Sequence, residues 1–182
     1  MAKHVCPWWF AYTFDNPLRR LFHKPELIFK PYLKDGMTAI DIGCGLGYFS
    51  IGMAKIVGEK GKITAVDIQQ KMLDILRQRA IKAGVSPLIT TVLCDEENLG
   101  TSENVDFALS FWMAHETPDA FHLFKQVHGL LKKSGKILLA EPKMHVATSE
   151  FKKTLSSAHE AGFKTSDSPP IFFSHTALLE KK

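Results

Sequence analysis

An α/β fold built on a mostly parallel sheet is predicted by three features of this 182-residue chain. From residue 37 onward, short apolar runs alternate with longer amphipathic stretches, the order expected when each buried strand is followed by a covering helix. The runs are dominated by β-branched, aromatic and other apolar residues with little polar alternation, as strands buried on both faces require. Three glycines, Gly43, Gly45 and Gly47, fall between the first run and the first amphipathic stretch, where such sheets place a ligand-binding turn.

The elements follow in order. Strands are expected at Met37 to Ile42, Ile63 to Val66, Ile89 to Leu93, Val105 to Phe111 and Lys136 to Ala140. Tyr48 to Val57 is apolar nearly all round and reads as a buried helix. Lys71 to Ala83 carries Met72, Leu73, Leu76 and Ala80 on one face, with Gly84 as its stop. Phe121, Phe124, Val127 and Leu131 form a third helical stripe; Phe151, Leu155 and Ala158 form a fourth, closed by Gly162. After the turn at Pro169 and Pro170, Ile171 to Leu179 reads as a last strand with no helix behind it, suited to an antiparallel sheet end.

Length and composition narrow the function. A chain of 182 residues, 45% hydrophobic, builds one sizeable core, so a single domain over 1–182 is expected. The net charge of +4 is scattered and too mild to imply nucleic acid. Cys6, Cys44 and Cys94 are far apart and odd in number, which favours neither a disulfide framework nor a metal site and fits a reducing cytoplasm. The apolar stretch Val5 to Phe14 is broken by Pro7 and lacks a cleavage signature, so neither a signal peptide nor a membrane span is expected.

The segment AIDIGCGLGYFS, Ala39 to Ser50, carries the most chemistry. Its glycines let the backbone approach a ligand closely and lead it to a helix N-terminus at the carboxyl edge of the sheet. Tyr48 stands where a dinucleotide fingerprint would continue to its third glycine, so a nicotinamide cofactor is disfavoured. Asp41, two residues before Gly43, would repel a pyrophosphate but attract a ligand bearing an ammonium and a sulfonium. A carboxylate that only braces loop amides is its alternative role.

This segment resembles motif I of class I S-adenosylmethionine-dependent methyltransferases, and the resemblance extends over residues 37 to 179. It implies a Rossmann-like, doubly wound seven-stranded sheet ordered 3-2-1-4-5-7-6 with strand 7 antiparallel. It also implies that S-adenosylmethionine lies over strands 1 and 2, contacting Asp41, Gly43, Cys44, Gly45, Gly47 and Tyr48, and leaves as S-adenosylhomocysteine. In ITAVDIQ, Asp67 stands at the strand end twenty positions beyond Gly47, placed to accept from ribose hydroxyls, with Ile68 and Met72 flanking the adenine. In VLCDEENL, Asp95 resembles the acid that receives the adenine amino group, and Leu99 the apolar residue that follows it in the family.

Strand 4, VDFALSF, runs on into Trp112, Met113, Ala114, His115 and Glu116, where the family brings acceptor and methyl group together. In-line methyl transfer needs alignment and a dry, aromatic surrounding more than acid–base chemistry, which Trp112, Phe111 and Tyr48 would supply. Where an acceptor must lose a proton, His115 is the candidate base, with Glu141 and His145 secondary. Strand 4 has neither the acid-Pro-Pro-aromatic tetrad of exocyclic-amine methylation nor a Pro-Cys nucleophile, so DNA is not expected as acceptor.

The N-terminal segment, residues 1–35, precedes the core of 36–182 and is densely aromatic. It is read as a helical cap over the acceptor pocket, with Trp8, Trp9, Tyr12, Arg19 and Arg20 on the acceptor side; an arm packed on the domain or on a dimer partner is the alternative. The functional expectation is methyl transfer to a small-molecule acceptor by a cytoplasmic monomer or homodimer. A noncatalytic S-adenosylmethionine-binding sensor or subunit is the alternative, with a protein or RNA acceptor further behind.

Overall fold

The computed structural model describes Trp8, Trp9, residues 11–15 and residues 19–182, the side chains of Tyr12, Phe14 and Arg20 excepted. Seven strands form one sheet: β1 (Thr38–Ile42), β2 (Lys62–Asp67), β3 (Ile89–Leu93), β4 (Val105–Phe111), β5 (Leu131–Pro142), β6 (Phe163–Asp167) and β7 (Ser174–Lys181). Their order is β3-β2-β1-β4-β5-β7-β6. The first five pair in parallel, and β7 lies antiparallel between β5 and β6. The sequence-predicted order and the antiparallel strand are both found.

Side-chain alternation along the central strands divides the core into two layers. On β4 and β5, Ala108, Ile137 and Leu139 face one layer, whereas Phe107, Leu109 and Leu138 face the other. The first layer is covered by α6 (Ala120–Leu130) and α7 (Thr148–Glu160), through Phe124, Val127, Phe151 and Ala158. The second is covered by α3 (Pro25–Phe29), α4 (Tyr48–Val57) and α5 (Gln70–Lys82), through Phe29, Phe49, Met53, Leu73 and Leu76. Ahead of them lie two four-residue helices, α1 (Ala11–Phe14) and α2 (Arg19–Phe22). None of the helices among the described residues is long and apolar enough to cross a membrane.

Four details depart from the sequence reading. The last strand opens at Ser174, after a turn at Phe172 and Phe173, and runs to Lys181 rather than from Ile171 to Leu179. Leu131 opens β5 rather than closing α6. The sixth strand, FKTSD, was not placed by the residue pattern, because only Phe163 is buried and the other four residues face solvent at the sheet edge. Phe121, assigned to the helical stripe, is 41% exposed, while Phe124 is fully buried. Phe124→Ala is therefore expected to lower unfolding free energy by about 3–5 kcal/mol in urea titrations, whereas Phe121→Ala should change it by about 1 kcal/mol or less; equal losses would contradict the assigned helix face.

Candidate active site

At the carboxyl edge of the parallel strands lies a cavity of about 530 Å³, where a topological switch between β1 and β4 opens a crevice. One half is formed by the ends of β1, β2 and β3. The backbone N–H groups of Gly43 and Cys44 donate to the Val66 carbonyl at 2.9 and 3.0 Å, which pins the glycine loop over β2. Gly45 has φ +53, and a Cβ built on it would meet nothing within 4 Å, so its backbone borders open cavity. Gly47 serves a different purpose: a Cβ there would meet Leu76 Cγ at 2.4 Å, and the residue does not line the cavity. It lets α4 start in a left-handed conformation against α5.

Two buried carboxylates face this half. Asp41 accepts from Ser50 Oγ at 2.5 Å, and burial, opposed by the Ser50 hydrogen bond and by Arg19, pushes its pKa up to about 6. Asp67 accepts from the N–H groups of Gly45 and Gln69, each at 2.9 Å, and burial raises its pKa against those same bonds. Two negative charges drawn out of water without a matching cationic ligand favour protonation. Met72 is buried beside them and Ile68 stands exposed at the rim. Asp95 borders the cavity, but its Oδ1 accepts from the N–H groups of Glu97 and Asn98 at 2.8 and 2.7 Å, so this oxygen shapes its own loop. Cys44 and Cys94 line the wall as thiols, burial raising the pKa of both.

The other half is built after β4. Trp112 adopts φ 58, a strained conformation for a bulky residue. Its N–H donates to the Ala140 carbonyl at 2.7 Å and its indole Nε1–H to Ser174 Oγ at 2.9 Å, which fixes the ring over the cavity. His115 follows on a 3-10 turn, Ala114–Glu116. Its Nδ1 forms a short contact with Glu141 Oε2, in which the imidazole N–H donates and the acceptor-only carboxylate receives. Glu141 is 0% exposed and does not line the cavity, and its Oε1 has no hydrogen-bond partner among the described residues. Thus the sequence-predicted pair comes together, with His115 at the cavity and Glu141 behind it. His145 and the 77% exposed Met144 stand at the mouth.

The N-terminal segment contributes less uniformly than expected. The Arg19 guanidinium lies 4.7 to 5.6 Å from the ring centres of Phe49, Tyr48, Trp112 and Phe111, at the junction of the two halves. Burial lowers its pKa, a shift opposed by Asp15, Tyr48 and Asp41. Trp8 instead reaches the far rim, where its backbone N–H donates to Gln69 Oε1 at 3.0 Å. Neither Trp8 nor Trp9 lines the cavity, and the side chains of Tyr12 and Arg20, with Cys6, lie outside the described residues. The sequence reading missed His23, which is buried edge-on to Phe111 and Trp112. Its Nε2 meets the Phe172 carbonyl at 2.9 Å and its own carbonyl accepts from Tyr48 Oη at 2.8 Å. No spacing in the sequence links these segments.

Comparison with known proteins agrees with this architecture. The chain matches the methyltransferase domain family over residues 33–169. It is 30% identical over 128 residues to the demethylmenaquinone methyltransferase of Lactobacillus johnsonii, covering 70% of this chain and 50% of that protein. It is also 30% identical over 111 residues to the ubiquinone/menaquinone biosynthesis C-methyltransferase of Haemophilus ducreyi, covering 60% and 42%. The chain thus spans about half the length of the curated relatives it matches. Among solved structures, an S-adenosylmethionine-dependent methyltransferase from Aquifex aeolicus superposes with a TM-score of 0.83 at 23% identity, over 96% of this chain and 99% of that one. A putative S-adenosylmethionine-dependent methyltransferase from Methanococcus maripaludis gives 0.80 at 18% identity, over 100% and 97%. With its glycine loop, its Rossmann-like sheet order and this match across most of its length, the chain belongs to the methyltransferase domain family.

Proposed function

We propose that the chain transfers the methyl group of S-adenosylmethionine to a small, largely apolar acceptor whose reacting position is activated by loss of a proton to His115. The observation that carries this reading is the His115–Glu141 pair, in which His115 follows β4 and Trp112 at the cavity and Glu141 stands behind it on β5. A carboxylate with no solvent exposure holds Nδ1–H, leaving Nε2 as the proton-accepting atom, and stabilises the imidazolium that forms. An oxygen or ring carbon made nucleophilic in this way attacks the sulfonium methyl in line. The carbon–sulfur bond breaks, its electron pair stays on sulfur in S-adenosylhomocysteine, and the acceptor's proton ends on His115. The relatives named for demethylmenaquinone and for C-methylation support a ring acceptor, which suits the apolar mouth formed by Met144 and Phe173.

In the same reading the cofactor occupies the first half. Asp41 faces the methionyl ammonium, Asp67 the ribose hydroxyls, and Gly43, Cys44, Gly45 and Tyr48 the methionyl chain. Ile68, Met72 and Asp95 border the adenine, and Gly47 supports the loop from behind. Arg19 holds the wall between cofactor and acceptor, at the edge of the acceptor side. Trp112 shields the sulfonium with its indole face, while His145 is available at the mouth for a polar substituent.

Three outcomes are expected. Asp67→Ala should weaken S-adenosylmethionine by about 2 kcal/mol or more in calorimetric titration with the fold intact; an unchanged dissociation constant would remove Asp67 from the site. His115→Ala should reduce kcat by about 10²- to 10⁴-fold and abolish the acid limb of the kcat–pH profile while cofactor affinity stays within about twofold; an unaffected profile would dismiss the base. Asp41→Asn should stabilise the ligand-free protein. The folded pKa of about 6 exceeds the ordinary 3.8, so this group's contribution is most favourable below about pH 4 and is lost as pH rises toward 6. The gain should therefore be about 1–3 kcal/mol at pH 7 and near zero at pH 4; denaturant unfolding at both pH values checks it.

A further inference from the structure

A second cavity, of about 500 Å³, lies between α3, α4 and α5, away from the acceptor half. Its floor follows from helix geometry. Tyr48, Ile51, Gly52 and Lys55 recur at i, i+3, i+4 and i+7 on α4, and Arg79 and Lys82 on α5 with its C-cap Ala83 recur at i, i+3 and i+4, so each set lies on one helix face. Pro25 crosses α4 at Gly52, where an added Cβ would meet Pro25 Cβ at 2.3 Å. Both residues line the groove. The result is an apolar floor flanked by the cations Lys24, Lys55, Arg79 and Lys82, with Glu26 as the one acid on the lining among the described residues.

This lining is electrically unbalanced. Lys24, Lys55 and Lys82 form no ion pair among the described residues, and Arg79 is paired with Asp15. Three uncompensated ammonium groups against one carboxylate exceed what a single carboxylate ligand would neutralise, whereas a phosphate monoester brings close to two negative charges and several acceptor oxygens. The apolar floor calls for an apolar body behind the phosphate.

The groove also shares a wall with the active-site cavity. Tyr48 lines both. Arg79 lines the groove, donates from Nη1 to the carbonyl of Leu46 in the glycine loop at 2.9 Å, and pairs with Asp15, which follows α1 and lines the active-site cavity. An anion in the groove would compete with Asp15 for the Arg79 guanidinium and so act on both the glycine loop and Asp15.

We propose that the groove between α3, α4 and α5 is a binding site for a soluble phosphate monoester with an apolar body, coupled to the cofactor loop through Arg79. This site does not depend on the acceptor chemistry proposed above. The coupling is reciprocal: the phosphate ester and S-adenosylmethionine must alter each other's affinity by the same factor.

The test is calorimetric titration of the whole chain with phenyl phosphate at fixed ionic strength, with and without S-adenosylmethionine. Saturable one-to-one binding is expected, weakened about tenfold or more in Lys55→Gln/Lys82→Gln, whose cofactor affinity should stay within about twofold of the parent. Phenyl phosphate should also shift S-adenosylmethionine affinity by about threefold or more, an effect lost in Arg79→Lys, which keeps the charge but not the planar fork. Lys82→Gln alone supplies a milder variant with the same expected direction. Binding that survives both lysine variants, an equal response to sodium chloride, or binding only to phosphatidylglycerol vesicles and not to phenyl phosphate would overturn the site. Binding without any shift in cofactor affinity would overturn the coupling.

Discussion

The burial of two carboxylates, Asp41 and Asp67, at the ends of adjacent parallel strands is the constraint around which the rest of the structure is arranged. Each is taken out of water at an energetic penalty that its hydrogen bonds only partly offset, which is why burial raises both pKa values. The glycine loop passes directly over them. It reaches Asp67 through the Gly45 N–H, while Ser50 on the first turns of α4 reaches Asp41. Such an arrangement weakens the ligand-free fold and favours a ligand that brings positive charge and hydroxyl donors.

The acceptor half is organised by a different use of the same physics. Glu141 is fully buried on β5, yet it turns one oxygen to His115 across twenty-six residues of sequence. The strained backbone at Trp112 makes this meeting possible, because the chain must turn sharply at the end of β4 to bring the 3-10 turn back over β5. Trp112 is held from two sides, by Ala140 and by Ser174 of the antiparallel strand β7. The antiparallel strand thus holds a cavity-lining side chain as well as joining β5 to the edge strand β6.

How much of this was legible beforehand depends on whether a feature is local. The glycine loop and Asp41 sit within one strand, one turn and one helix start, so their spacing in the sequence is their spacing in space, whereas Asp67 reaches the loop from the end of the neighbouring strand β2; β3 and β4 were bounded correctly from short runs rich in β-branched and apolar residues. FKTSD was not recognised as a strand, since an edge strand with one buried residue carries no hydrophobic run. Asp95 illustrates the same limit: its place after β3 was legible, but the turn of its Oδ1 toward the amides of Glu97 and Asn98 was not. The aromatic cage around Arg19 joins α2, α4 and the end of β4. Contacts of that kind arise only from tertiary packing: the sequence named Arg19 beside Trp8, Trp9, Tyr12 and Arg20 as acceptor-side candidates, but not that Arg19 lines the cavity while Trp8 and Trp9 do not.

The electrostatic basis of cofactor binding is tested most directly by proton release. Burial pushes the Asp41 pKa up to about 6, and a neighbouring ammonium must lower that value, so binding at pH 6 should expel a proton from a group close to its midpoint. Calorimetry of S-adenosylmethionine binding at pH 6, in buffers of different ionisation enthalpy, should give a release of about half a proton per chain, with affinity rising by up to about tenfold between pH 5 and pH 7. Binding with no net proton release, and with a dissociation constant independent of pH over that range, would contradict the role assigned to Asp41.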